Sequence, residues 1–157
     1  MDNVDFAKSL IKGRIAETIF AQMLRGTKEF TVLEFGYEKI IPELVQQGYI
    51  ENRDTINILR TAPDFAVINR KTKTVRLIEV KYERTISPKF VLGHAKKMSQ
   101  SWNPSYLFVA TLDGFYFDEI SEIIKNNGDI SPLRHPQISD EIQGKYIEIL
   151  RDFERNN

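Results

Sequence analysis

The spacing of apolar and polar residues predicts a helix followed by a strand at the start of the chain. Asp5 to Arg25 has apolar positions at helical intervals, which indicates one long helix. Phe30 to Tyr37 is rich in aromatic and β-branched residues, which favours a strand. We expect a short helix over Pro42 to Gln47, whereas Tyr49 to Ala62 is ambiguous and partly extended at the stretch TINIL.

The middle of the chain predicts a hairpin, a second long helix and a further strand. Asp64 to Asn69 and Thr74 to Tyr82 have the character of strands and flank the polar turn RKTK. Ser87 followed by proline is typical of a helix start, so a helix is expected from there to about Trp102. Tyr106 to Ala110 is a short apolar run that indicates a buried strand.

The last part of the chain predicts one more strand and two helices. Phe115 to Phe117 follows a turn signal and is a candidate strand, and Glu119 to Asn126 is expected to form a short helix. Ser139 is the predicted cap of a final amphipathic helix. Its predicted apolar stripe consists of Ile142, Tyr146, Ile149 and Phe153. The order of elements indicates one α/β domain over residues 1–157, with a sheet sandwiched by helices.

Composition and charge exclude several classes of function. Lys and Arg together number 22, as do Asp and Glu, so the net charge is zero and the whole molecule does not attract polyanions. A nucleic-acid partner must therefore be held by a local patch or through bound cations. The chain has no cysteine and two histidines, His94 and His135, which excludes disulfides, thiolate chemistry and a histidine-rich metal cage. Glycine-rich phosphate-binding motifs are also missing from the sequence.

The chain carries no sign of export or of a membrane span. The first residues, MDNVDFAK, hold two acids and no apolar stretch, so no secretory signal is predicted. No apolar run approaches the ~18 residues that a span requires. Since the absence of cysteine fits a reducing compartment, we expect a cytoplasmic protein without a membrane partner.

The register of the predicted hairpin brings two carboxylates together. A turn centred on residues 71–72 pairs Ala66 with Leu77, and the same register places Asp64 opposite Glu79. Directly opposed side chains have Cβ atoms roughly 4.5–5.5 Å apart, so two carboxylates there repel unless a cation lies between them. A hard divalent ion such as Mg²⁺ takes one or two carboxylates and keeps several waters. The register therefore proposes a metal site.

Lys81 lies two residues beyond Glu79, so strand alternation places it on the same face. An ammonium group there would orient a nucleophilic water or stabilise negative charge that develops on a phosphate. The same face is expected to carry an apolar floor of Ala66, Ile68, Val75 and Leu77. The alternative is an exposed hairpin end where the acids and the lysine form a loose salt-bridge cluster, and a three-residue turn would separate the two acids.

A third acid, Glu17, lies at the centre of the most apolar stripe of the first predicted helix. Phe6, Leu10 and Leu24 fall within about 20° of it at ~100° per residue, so this stripe is expected to face the sheet. A buried carboxylate is costly unless it is paired or binds a metal. Gly13 lies one turn earlier, where a bare backbone would allow a phosphate or the sheet to come close. Alternatively, Glu17 reaches the rim of the domain or pairs with a lysine or arginine.

Together these residues resemble the PD-(D/E)xK nuclease superfamily. The matching motifs, in chain order, are Lys12, Gly13 and Glu17, then Pro63-Asp64, then Glu79-Val80-Lys81. The predicted order αβββαβ is similar to the common core of that superfamily, and the resemblance covers Asp5 to about Thr111. In motif, the chain looks most like small Holliday junction resolvase-like nucleases.

The resemblance implies a restriction-endonuclease-like α/β fold, to which the helices predicted near the end of the chain add a C-terminal helical extension. It also implies an endonuclease that hydrolyses DNA phosphodiester bonds with Mg²⁺, or Mn²⁺ as its substitute. Asp64 and Glu79 then correspond to metal ligands, and the Val80 carbonyl is a further ligand. Lys81 corresponds to the catalytic lysine that positions water. Glu17 corresponds to the helix acid that contacts a second metal or its water.

Several cations are candidate phosphate contacts around this site. The six main candidates are Lys12, Arg14, Lys71, Lys73, Arg84 and Lys97, and Arg60, Lys89 and Lys96 are further ones. DNA is the expected partner, RNA is a weaker expectation, and a homodimer stays open. The competing hypothesis is a catalytically degenerate nuclease fold retained as a nucleic-acid-binding or protein-binding module.

Overall fold

The structure is a computed structural model, and it describes residues 2–36 and 53–156. Within these residues the helices are α1 (Asn3–Gly26), α2 (Arg53–Arg60), α3 (Pro88–Ser99), α4 (Ile120–Lys125) and α5 (Asp140–Arg155). The strands are β1 (Phe30–Glu34), β2 (Phe65–Asn69), β3 (Val75–Tyr82), β4 (Tyr106–Ala110) and β5 (Phe115–Glu119). The short helix predicted over residues 42–47 lies outside the described residues.

The five strands form one mixed sheet in the order β1-β2-β3-β4-β5. Only β3 and β4 run parallel, and α3 supplies the crossover between them; the other neighbouring strands are antiparallel. Helices cover both faces of the sheet, so the predicted α/β class and the mixed sheet flanked by helices are confirmed. None of the helices in the described residues combines the length and the apolar composition that a membrane span needs.

The hairpin of β2 and β3 has the predicted register. Ala66 lies opposite Leu77, and Ile68 lies opposite Val75. The side-chain oxygen of Asn69 accepts hydrogen bonds from the backbone N–H groups of residues 71 and 72, and these two bonds close the turn. The apolar–polar alternation and the local turn chemistry thus fix the pairing on which the carboxylate prediction depends.

Two apolar cores lie on opposite faces of the sheet. On one face, α1 and α5 pack on the inward side chains of the strands, with Phe20, Val80 and Phe108 at the centre. On the other face, α3 and α4 pack mainly on β4, where Val91 meets Leu107. Because α3 and α4 cover the β4 side of the second face, the hairpin part of that face stays more open.

This arrangement corrects the expected apolar floor beneath the acids. The buried residues of the hairpin are Phe65, Val67, Ile78 and Val80, which alternate with the predicted set. Val75, a predicted floor residue, is 62% exposed. The face that carries Asp64, Glu79 and Lys81 is therefore only partly covered.

Two further element predictions are wrong in part. Residues 53–60 form α2, which contains the stretch TINIL that was expected to be partly extended. The end of α2 is held by a hydrogen bond from the Trp102 indole N–H to the Ile58 carbonyl. In α5 the buried residues are Gln143, Ile147 and Leu150, while the predicted Ile142 and Ile149 are exposed. The buried stripe thus includes a polar residue, Gln143, whose amide donates hydrogen bonds to two backbone carbonyls.

Candidate metal and nucleic-acid site

The strands β2 and β3 separate just beyond their last pair, Phe65 and Ile78. The Asp64 carbonyl there accepts hydrogen bonds from the backbone N–H groups of Phe35 and Gly36. These bonds direct the backbone of Asp64 toward the end of β1 and away from β3. The Asp64 carboxylate turns back instead, and its Oδ2 accepts the Val80 N–H at 2.8 Å. A side-chain oxygen therefore replaces a backbone partner at the edge of β3, which holds the carboxylate against that strand.

The Asp64 and Glu79 carboxyl groups meet, as the register predicts. Both line the same cavities, and the Asp64 side chain is one of the causes of a raised pKa at Glu79. Burial raises the pKa of Glu79 to about 9, with the Asp64 hydrogen bond and charge adding to this and the Lys81 ammonium opposing it. A carboxyl group whose pKa is raised by burial and by a neighbouring acid favours exchange of its proton for a cation.

The backbone of β3 adds a third oxygen beside this pair. In a strand, the N–H and C=O of one residue point to the same edge, so the Val80 carbonyl lies on the edge where its N–H contacts Asp64. Two carboxylates and one carbonyl form an oxygen set that fits Mg²⁺, which keeps its remaining ligands as water. Among residues 2–36 and 53–156, no group of three or more histidine, aspartate or glutamate side chains is arranged to hold a metal ion by itself.

Glu17 reaches this place from α1. Its side chain is 29% exposed and lies 3.6 Å from the Arg14 guanidinium, and its charge raises the pKa of Glu79 after the larger effects of burial and Asp64. Glu17 is therefore partly exposed and paired with an arginine, as in the alternative considered from the sequence. The expectation that its whole stripe faces the sheet is wrong for the first turns, where Phe6 and Leu10 are 57% and 54% exposed.

Two cavities meet at these side chains. The first, about 280 Å³, and the second, about 480 Å³, share four lining residues, which are Glu17, Asp64, Glu79 and Lys81. We call the two cavities together the groove and the four shared residues its centre. The rest of the first cavity is the first wing of the groove, and the rest of the second cavity is its second wing. The first wing is also lined by Arg14 and Arg60, and the second by Lys12 and Arg84. The acidic centre of the groove thus has two cations on each side.

Lys12 is held in the second wing by the last helix. Its Nζ lies 2.8 Å from Glu154 Oε1, and the same oxygen accepts a hydrogen bond from the Tyr82 hydroxyl at 2.5 Å. The Lys12 ammonium also lies 5.7 Å from the centre of the Tyr82 ring. No local sequence pattern links Tyr82 of β3 to Glu154 at the end of α5, so only the tertiary structure reveals this contact.

The structure does not bring the other three predicted phosphate contacts to the groove. Lys71 and Lys73 lie at the hairpin turn, the end of β2 and β3 opposite to Asp64. Lys97 lies on α3 and lines a separate surface cavity with His94. Burial lowers the pKa of His94 to about 4, with the charges of Lys81 and Lys97 adding to the shift, so this face of α3 lies near Lys81. Nucleic-acid contact by these lysines stays a prediction.

Two acids that the sequence analysis left out also line the groove. Glu83 is the first residue after β3 and lies two positions beyond Lys81, so extending the strand alternation by one residue would have identified it. Its Oε2 is buried and is the one buried side-chain polar atom of the described residues that lacks a hydrogen-bond partner. Glu34, at the end of β1, lines the first wing, and only the tertiary structure brings it there.

Comparison with known proteins gives no independent identification. The sequence matches no family model and none of the curated proteins.

Proposed function

We propose that this protein is a divalent-metal-dependent endonuclease of the PD-(D/E)xK type that hydrolyses DNA phosphodiester bonds. The observation that carries the proposal is the groove, in which Asp64, Glu79 and Lys81 form a centre flanked by cations on both sides. A nucleic-acid strand matches this arrangement of charges. The phosphate that is cleaved would lie at the centre, and the phosphates that continue on both sides of it would lie near the cations. The mixed five-strand sheet flanked by helices is of the α/β class to which the proposed restriction-endonuclease-like fold belongs.

Asp64, Glu79 and the Val80 carbonyl would hold Mg²⁺, and Glu17 would contact a second ion or a water beside the first. When bound, Mg²⁺ supplies Lewis-acid chemistry, since it acidifies water and withdraws charge from phosphate oxygens. Lys81 would donate hydrogen bonds to the attacking water and to the phosphate. The water oxygen would bond to phosphorus and release a proton to solvent. The bond from phosphorus to the 3′ oxygen would break, and that oxygen would take a proton from solvent, which leaves a 5′-phosphate and a 3′-hydroxyl.

The direct test is cleavage of labelled duplex, flap, four-way-junction and single-stranded DNA, and of RNA, with Mg²⁺, Mn²⁺ or EDTA. We expect DNA cleavage that EDTA abolishes. Asp64→Asn and Lys81→Met should each slow cleavage at least ~10²-fold, as loss of one charge-stabilising group commonly does. Lys81→Met should still bind Mn²⁺ in calorimetric titration, because its side chain is not a ligand.

The matched control is Lys145→Met, which removes an exposed lysine of α5 that pairs with Glu141. Its cleavage rate should equal that of the wild type. Full activity of Asp64→Asn would refute the site. DNA binding without cleavage of any substrate would refute the enzyme and favour the binding module.

A further inference from the structure

The end of α5 closes one side of the groove through a cluster of Lys12, Tyr82 and Glu154. These residues come from α1, β3 and α5, and one carboxylate oxygen of Glu154 joins the other two. The side chains of Lys12 and Glu154 are only 27% and 17% exposed, so the contact is partly shielded from water. Arg84 lies close enough for its charge to act on both Tyr82 and Glu154.

The cluster leaves Lys12 able to receive a further anion. An ammonium has three donors, and Glu154 takes one of them, while Lys12 itself lines the second wing with Arg84. Lys12 and Arg84 bring two cations to the second wing, where the carboxyl groups nearby are those of Glu154 and Glu83. An incoming phosphate would therefore be held by the hydrogen-bond donors of Lys12 and Arg84 rather than by an excess of positive charge.

Building on the proposed function, we propose that Lys12 and Arg84 form a subsite for the phosphate next to the one that is cleaved, and that Glu154 is its positioning residue. Lysine has a flexible four-carbon side chain, and immobilising such a chain on binding costs free energy. Glu154 and Tyr82 restrict that chain before the nucleic acid arrives. The C-terminal helix is thereby part of the nucleic-acid site.

The test compares Glu154→Ala and Glu154→Gln with Glu141→Ala, which breaks an exposed ion pair elsewhere on α5. Affinity for the best DNA substrate is measured by anisotropy at several salt concentrations in Ca²⁺, which is used so that binding is followed without cleavage. Glu154→Ala should weaken binding roughly three- to ten-fold, the range expected for one mobile side chain. Glu154→Gln should stay within about two-fold of wild type, since its amide oxygen still accepts from Lys12 and Tyr82.

A double-mutant cycle with Lys12→Met separates positioning from a general loss of structure. Lys12→Met should lower the slope of log affinity against log salt by about 0.9 on duplex DNA. In that background Glu154→Ala should have no further effect on affinity, because Glu154 acts through Lys12. If Glu154→Ala does not fold, two measurements still test the proposal. They are the affinity of Glu154→Gln in the wild-type and Lys12→Met backgrounds, and the salt dependence of Lys12→Met.

Tighter binding by Glu154→Ala and Glu154→Gln would overturn the proposal, because it would make Glu154 a competitor of the phosphate. Unchanged binding by a folded Glu154→Ala would overturn it as well. In both cases the wild type binds DNA, so the proposed function survives. Failure of the wild type to bind any DNA at low salt would instead overturn both proposals.

Discussion

Asp64 is the residue around which the site is built, because its backbone and its side chain serve different strands. Its carbonyl continues the contact with the end of β1, and its carboxylate accepts the Val80 N–H of β3. The same placement forces it against the Glu79 carboxyl group. One residue thus separates the strands, positions a carboxylate and creates the charge conflict that a cation resolves.

We expect the stability of the metal-free protein to fall as pH rises from about 4.5 to about 9. Folded Glu79 keeps its proton to about pH 9, whereas its ordinary value is 4.5, so the unfolded chain binds fewer protons across this range. The stabilisation is complete below pH 4.5 and is lost as pH rises through 9. The slope from one proton is at most about 1.4 kcal/mol per pH unit.

Urea unfolding in EDTA across this range measures the effect, with Glu79→Gln as the control. Glutamine stays neutral and keeps a similar shape, so its stability should depend less on pH than that of the wild type. Mg²⁺ should stabilise the wild type most at the alkaline end, where no proton competes for the carboxylates. Equal pH dependence of wild type and Glu79→Gln would contradict the raised pKa.

At the scale of elements, α1 differs from the picture drawn from its apolar stripe. Its second half packs into the core through Ile19, Phe20 and Met23, while Glu17 stands where the helix passes the groove. Gly13 was expected to permit a close approach. In the described part of the chain, however, a Cβ atom built on Gly13 meets no heavy atom within 4 Å. The sheet therefore does not require a glycine there.

Gly13→Ala should stabilise the protein by about 0.5–1 kcal/mol, because alanine loses less backbone entropy in a helix. Gly128→Ala should destabilise it by more than about 2 kcal/mol, through strain and a clash. Gly128 has φ +95°, and a Cβ there would lie 2.1 Å from the Pro88 carbonyl oxygen. Chemical denaturation measures both values.

Gly144→Ala in α5 is the matched control, since a Cβ there also meets no heavy atom of the described residues within 4 Å. It should stabilise by an amount similar to Gly13→Ala. A loss of stability in Gly13→Ala alone would show that another part of the molecule approaches this helix closely.

At the scale of the whole molecule, a net charge of zero coexists with a locally structured groove. The four wing cations are Lys12, Arg14, Arg60 and Arg84. They come from α1, the end of α2 and the end of β3, elements that are far apart in sequence. Binding of nucleic acid should therefore depend on these few cations, and long-range attraction by the whole protein should contribute little.

The slope of log affinity against log salt for duplex DNA should be about −3 to −4, since each of four neutralised phosphates adds about −0.9. Replacing Arg60 and Arg84 by methionine should make the slope shallower by about 2 units. Anisotropy titrations in Ca²⁺ at increasing KCl measure it. Lys71→Met combined with Lys73→Met is the comparison, and it should leave the slope unchanged. If it is this second pair that reduces the slope, the hairpin turn rather than the groove binds the phosphates.

The sequence by itself determined the parts of this protein that rest on local periodicity. Strand alternation and the turn after Asn69 set the hairpin register, which in turn brought Asp64 to Glu79 and placed Lys81 on the same face. The structure keeps this register because a slip of one residue would exchange the buried and exposed faces of both strands.

Only the tertiary structure decided which surfaces are covered and which distant residues meet. The predicted floor beneath the acids is open at Val75 because the helices on that face cover β4 rather than the hairpin. The contact of Lys12 with Glu154, and the position of Arg60 beside the centre of the groove, join elements that no periodicity connects. Such contacts depend on how helices dock on the sheet, and docking is decided by packing over the whole molecule rather than by any one segment.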